Sequence, residues 1–142
     1  MQDVDDMLKE SNKLFMKKIL TCILAVLGLA TAYGQRNFEN TDVNGFAELI
    51  ADSSVVILDV RTAAEFAEGH IQGAILIDQG QSDFMEKAKA TLPIDKKIAI
   101  YCRSGRRSAN AAGKLGDVGY KCVNLKGGII TWKEAGKPVA KE

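Results

Sequence analysis

Residues 97–108 read Lys97-Ile98-Ala99-Ile100-Tyr101-Cys102-Arg103-Ser104-Gly105-Arg106-Arg107-Ser108. The apolar run from Ile98 to Tyr101 predicts a buried strand. It leads directly into Cys102 and a loop rich in glycine and arginine. A helix is predicted next, from Ser108 to Leu115 or Asp117, closed by Gly119. A strand that delivers a loop to a helix N-terminus is the unit from which open α/β sheets build ligand sites.

The segments on either side repeat the alternation. Upstream, Thr41 or Asp42 can cap a helix reaching about Asp52, with Val43, Phe46, Leu49 and Ile50 at helical spacing. Val55 to Val60 is a β-branched run expected as a strand covered on both faces. Thr62-Ala63-Ala64-Glu65 has the form of a capping box, so a short helix is predicted to end near Gly69. Ala74 to Ile77 reads as a short strand, and Asp83 to Leu92 as a helix stopped by Pro93. Downstream, Lys121 to Leu125 is a strand, Gly127-Gly128 a turn, and Ile129 to Ala135 a last helix carrying Trp132. Strands alternating with helices require crossover connections. The expected fold class is therefore α/β, with a mostly parallel central sheet of four to five strands and helices on both faces.

The first 34 residues read differently. Residues 19–33 form an apolar run without charge, preceded by Lys17 and Lys18 and followed by small residues up to Gly34. This is the layout of a secretory signal. At about 15 residues it is short for a spanning helix, which needs about 20. The expected organisation is an over-extended start at 1–15, a signal peptide at 16–34 with translation beginning at Met16, and a folded domain at 36–142. The four acidic residues ahead of Met16 motivate the first of these. Retention of the run as a membrane anchor is the alternative. Removal of the signal implies an exported, periplasmic protein of bacterial type, without stable membrane association after cleavage.

The chain has 142 residues and a formal net charge of +1, which gives no reason to expect nucleic acid or an anionic membrane surface as partner. Cys22 lies in the apolar run and behind a poor lipobox, leaving Cys102 and Cys122 in the domain. Two cysteines are too few for a disulfide framework, and no Cys-x-x-Cys pair suggests zinc or a thioredoxin-type motif. Neither a metal nor a cofactor is expected, and nothing requires more than a monomer.

Cys102 is the candidate nucleophile. Amides at a helix N-terminus lack internal partners, and the dipole there is positive. Gly105 lets the loop point successive amides inward as an anion nest. Arg103, Arg106 and Arg107 add positive charge. Thiolates in such settings titrate at roughly 3.5–7.5 rather than near ~8.5. The loop itself favours the anion, so a histidine base is not required. Arg103, Ser104, Gly105, Arg106 and Arg107 are the candidate substrate-binding residues.

At these residues the chain resembles the single-domain rhodaneses, the thiosulfate sulfurtransferase family. Leu58-Asp59-Val60-Arg61, with Glu65-Phe66 and Gly69-His70-Ile71-Gln72-Gly73-Ala74, is similar to the family's first signature. Cys102 to Ser108 resembles its active-site loop, and Leu125-Lys126-Gly127-Gly128 with Trp132 and Gly136 its C-terminal signature. The resemblance covers residues 38–139, with Gln72 standing where proline is usual. It implies a rhodanese-like fold and transfer of sulfane sulfur, from thiosulfate or a similar small anion, through a Cys102 persulfide to a thiophilic acceptor. The acceptor can be a protein thiol. Arg103 and Arg106 are assigned to substrate contact more firmly than Arg107. The alternatives are a persulfide carrier and a redox-linked or anion-binding module without thiosulfate turnover.

The same fold serves protein phosphatases whose loops read Cys-x5-Arg. Six positions after Cys102 stands Ser108, and Arg107 is one residue short. The shorter loop suits a sulfur atom better than a phosphoryl group. Asp59, Arg61 and His70 are expected to support the site: Asp59 by organising turn amides, Arg61 through an ion pair, His70 as a hydrogen-bonded fixture. Glu65 is expected to act as the capping-box residue, Trp132 to seal the core and Cys122 to be buried.

Overall fold

The computed structural model describes residues 4–17 and 36–141. The chain divides into two units, Met1–Gln35 and Arg36–Glu142. In the first, helix α1 spans 4–17 with all its residues exposed. The expected signal region lies outside the described residues, apart from positions 16 and 17 at the end of α1. No helix among the described residues is long and apolar enough to cross a membrane.

The second unit runs β1 (Glu39–Thr41), α2 (Val43–Ile50), β2 (Val56–Asp59), α3 (Ala63–Glu68), β3 (Ile75–Leu76), α4 (Phe84–Thr91), β4 (Lys97–Tyr101), α5 (Arg106–Asp117), β5 (Lys121–Leu125) and α6 (Gly128–Glu134). The strands form one sheet in the order β1-β5-β4-β2-β3, and every pairing is parallel. The expected α/β sheet is thus present with five strands. β1 escapes the sequence pattern because Glu-Asn-Thr carries no apolar alternation. It exists through backbone pairing with β5, Glu39 opposite Val123. Thr41 therefore belongs to the strand, and Asp42 caps α2 by accepting from the Gly45 amide at 2.9 Å.

Alternation along β4 assigns its side chains to two cores. Ile98, Ile100 and Cys102 join Phe84 and Ala88 of α4 and Ala111, Ala112 and Leu115 of α5. Ala99 and Tyr101 join Phe46 of α2 and Ile129 and Trp132 of α6. Helices cover both faces, as expected. Trp132 closes the second core edge-on to Phe46, its indole N–H donating to the Pro138 carbonyl at 2.9 Å.

β4 lies at the centre of the sheet, and the chain leaves it towards β5, whereas the chain leaving β2 turns the other way to β3. Where neighbouring connections diverge, the carboxyl edge opens into a crevice. Cys102 follows the last residue of β4 at that edge.

Candidate active site

The loop between β4 and α5 is held from beneath and from within. α6 begins against it: the Ile129 amide donates to the Cys102 carbonyl at 2.9 Å and the Ile130 amide to that of Arg103 at 3.2 Å. Gly128 allows this approach, because a Cβ there would stand 2.6 Å from the Cys102 carbonyl oxygen and collide with that of Arg103. Gly105 has φ +98, and a Cβ on it would meet the Gly127 nitrogen at 3.1 Å. The left-handed angle turns its amide towards the sulfur, with N to Sγ at 3.1 Å. The two glycine sites are one packing arrangement.

α5 starts at Arg106, two residues before the predicted position, so Arg106 and Arg107 occupy its first turn. The Ser108 side chain is consequently carried inward, fully buried, with Oγ 3.3 Å from Sγ. Burial pushes the Cys102 thiol up. The Ser108 hydroxyl and the amides of Ser108, Gly105 and Ser104 more than offset that, and the thiol titrates below its ordinary value. The cause is the one expected from a helix N-terminus, with a hydroxyl added.

The remaining predicted residues fall into distinct places. Ser104 contributes its amide. Arg103 and Arg106 are exposed and make no ion pair among the described residues. Arg107 points to the Glu65 carboxylate, with hydrogen bonds of 2.9 and 2.8 Å. Glu65 thus serves the expected capping box and a long-range ion pair at once. Thr62 caps α3 by accepting from the Glu65 amide at 3.3 Å, and the Glu65 carboxylate accepts in return from the Thr62 hydroxyl at 3.2 Å and from the Thr62 backbone, while its main partner is Arg107. A guanidinium offers a stronger partner than a backbone amide.

Asp59 and Arg61 form a buried pair at the end of β2, 2.6 Å at the closest approach. Asp59 also accepts from the Arg61 amide at 3.0 Å, and Arg61 donates to the Gly69 carbonyl at 2.8 Å. The Arg61 guanidinium lies 5.7 Å from the Tyr101 ring centre. The Tyr101 hydroxyl accepts from the Ile71 amide at 3.0 Å. Burial, and then Asp59, push the Tyr101 phenol well above its usual range, so it stays neutral. This group fixes the residue before Cys102. His70 is buried, stacked on Phe66, with Nδ1 2.9 Å from the Phe66 carbonyl. A carbonyl can only accept, so Nδ1 carries the proton; the ring rests on α3, and the His70 backbone pairs with Ala140.

Residues 42–135 match the rhodanese-like domain. The chain belongs to the rhodanese-like family. It is 42% identical over 88 residues to a putative sulfurtransferase, YtwF, of Bacillus subtilis, covering 62% of this chain and 82% of that one. It is 36% identical over 100 residues to a sulfurtransferase of Allochromatium vinosum, covering 69% and 91%. The crystal structure of a rhodanese-related protein from Thermoplasma volcanium superposes with a TM-score of 0.66 at 36% identity, covering 73% of this chain and 99% of that one. Both of these relatives carry the name of sulfurtransferase, the first as a putative one.

Within this rhodanese-like domain a chain of three polar residues leads away from Cys102, and the sequence reading assigns a function to none of them. Ser108 sits on the apolar stripe of α5, three, four and seven residues ahead of Ala111, Ala112 and Leu115. A polar residue at that position is the signal that was available. Asn124 is a buried carboxamide in an otherwise apolar stretch of β5. Asn40, on the unrecognised β1, carried no signal at all.

Proposed function

We propose that the domain is a sulfurtransferase that takes sulfane sulfur from thiosulfate or a similar small anion and passes it to a thiophilic acceptor. The supporting observation is the Cys102 sulfur, held at the N-terminus of α5 by the Gly105 amide at 3.1 Å and the Ser108 hydroxyl at 3.3 Å. In the first step the thiolate attacks the outer sulfur of the donor. The donor S–S bond breaks, sulfite leaves with its electron pair, and a persulfide remains on Cys102. In the second step an acceptor nucleophile bonds to the outer sulfur and the Cys102 thiolate departs. The same amides that favour the thiolate favour a negative persulfide. Arg103 and Arg106, which make no ion pair among the described residues, would meet the donor's charge, while Arg107 acts through its pair with Glu65.

Cys102 is fully buried, so a donor must reach it with a slender end, as the terminal sulfur of thiosulfate can. Cys122 cannot resolve the persulfide. Its register partner is Ile98, so it stands four residues down the sheet from Cys102, about 13 Å away. A disulfide needs Cα atoms within about 7 Å. The acceptor therefore comes from outside the domain, as a small nucleophile or a protein thiol. We place this chemistry outside the cytoplasm on the reading of residues 16–34. Cell fractionation with N-terminal sequencing checks this: a chain beginning near residues 33–35 outside the cytoplasm is expected, and a cytoplasmic chain that keeps residues 16–34 would overturn the export reading.

The test of the reaction is intact mass before and after thiosulfate, with Cys102→Ser alongside. The expected result is a gain of one sulfur atom, absent from the variant and discharged by cyanide. No gain on a folded protein whose Cys102 still alkylates would overturn the thiosulfate reading.

A further inference from the structure

The Ser108 hydroxyl has one proton and three acceptors within reach. These are Asn124 Oδ1 at 2.6 Å, the Gly105 carbonyl at 3.2 Å and Cys102 Sγ at 3.3 Å. The Gly105 carbonyl already receives the Ala109 amide and Asn124 Nδ2. The contest is therefore between the carboxamide and the sulfur. The carboxamide cannot turn away, because its Nδ2 donates to Asn40 Oδ1 at 3.0 Å and to Gly105 at 3.3 Å, which leaves Oδ1 facing Ser108. With a neutral thiol all groups are satisfied: the thiol can donate to Ser108, and Ser108 to Asn124. With a thiolate, the proton that turns to the sulfur leaves two oxygens facing each other at the shortest distance in the network. A buried acceptor so deprived raises the free energy of the charged form.

We propose that Asn124 is a positioning residue that competes with Cys102 for the Ser108 proton, and that Asn40 sets the competition by orienting the carboxamide. This rests on Cys102 being the nucleophile of the proposed sulfur transfer. It gives the edge pair β1–β5 a part in the chemistry. The consequence concerns nucleophilicity. A thiolate stabilised further would be more abundant but less reactive, since intrinsic nucleophilicity falls with thiol pKa. Asn124 keeps the sulfur from that limit. The charged groups around the sulfur are Arg107 on α5, with Glu65 on α3 and Asp78 in the loop after β3 acting on it. The buried Asp59–Arg61 pair lies against Tyr101, and Arg103 and Arg106 are exposed on the loop and first turn. β5 and β1 present only the neutral Asn124 and Asn40. None of the charged groups bonds to Ser108 or Asn124, so they act alike in every variant below.

The experiment is the pH dependence of iodoacetamide alkylation at Cys102 in the full chain, read by peptide mass. Ser108→Ala should raise the midpoint, lowering the acid constant about tenfold, because a donor to a charged atom is lost. Asn124→Leu should lower the midpoint, raising the acid constant about threefold, and slow the limiting rate at high pH. The double variant should behave as Ser108→Ala alone, because Asn124 acts only through the hydroxyl. Asn40→Ala, at an exposed edge position, should shift the midpoint in the same direction as Asn124→Leu and carries the test if Asn124→Leu fails to fold. A midpoint that rises or stays unchanged in either variant overturns the proposal. An Asn124→Leu effect that persists undiminished beside Ser108→Ala overturns it too. Alkylation needs no sulfur donor, so failure of thiosulfate loading is read separately.

Discussion

Arg107 of α5 meets Glu65 of α3 side by side, with two hydrogen bonds of 2.9 and 2.8 Å across 42 residues of chain. The pair ties the first turn of the helix that follows Cys102 to the helix that follows β2. Glu65 is held at about 2, below its ordinary 4.5, by the Arg107 hydrogen bond first, with burial opposing. A folded pKa below the unfolded one contributes stability above the unfolded value, and that contribution is lost as pH falls through the folded value. The stability gap between the wild type and Glu65→Gln should be constant from neutral pH to about 5 and close between about 4.5 and 2. Because the pair is partly exposed, the gap should be about 1 kcal/mol or less. Urea denaturation at several pH values measures it, and a gap undiminished at the acid end would refute the assignment.

Gly128 and Gly136 both have positive φ, at +63 and +74, but only Gly128 is crowded. Gly128→Ala must displace the carbonyls of Cys102 and Arg103, at a cost of about 1–3 kcal/mol beyond backbone strain. It should also misplace the Gly105 amide and reduce sulfur loading at least several-fold. Gly136→Ala has nothing within 4 Å to meet, and should lose stability alone. Thermal unfolding and loading of the two variants side by side separate crowding from strain. Equal loading by both would show that the contact of α6 with the loop is dispensable.

The Asp59–Arg61 pair is almost wholly buried. Asp59→Ala leaves a buried guanidinium without its counter-ion, and should cost about 3–5 kcal/mol. The residue before Cys102 should lose its anchor as well. Chemical denaturation gives the first quantity. Near-ultraviolet circular dichroism, to which Tyr101 contributes, reports the second. A loss below 1 kcal/mol would mean that water reaches the site.

Cys122 is 3% exposed, and burial pushes its thiol up to about 12. At pH 8 iodoacetamide should modify Cys102 and leave Cys122 untouched until denaturant is added. Cys122→Ala should retain full sulfur loading. Peptide mass decides both points, and native labelling of Cys122 would contradict its place in the core.

The alternation of strands and helices was legible because it follows from periodicity, which is local. β1 was not, because three polar residues become a strand only when β5 offers its edge. The capping residue Thr62 and the buried ion pair of Asp59 with Arg61 were also within reach, since each depends on neighbours two or three positions away. The second role of Glu65 was out of reach for the converse reason: the cap is local, whereas the guanidinium it also holds comes from a distant helix.

Residue order alone marked Cys102 as the candidate nucleophile, since a strand, a glycine and a helix start in succession impose a cradle of amides whatever surrounds them. Tertiary structure alone decided which polar groups tune that cradle. Arg107 turned to Glu65, Ser108 turned inward, and Asn124 met it from 16 residues away with Asn40 behind, 84 residues away. Backbone amides are supplied by every residue and need only a local turn. A side chain's partner depends on which strands the sheet brings together, and that is settled only when the whole core packs.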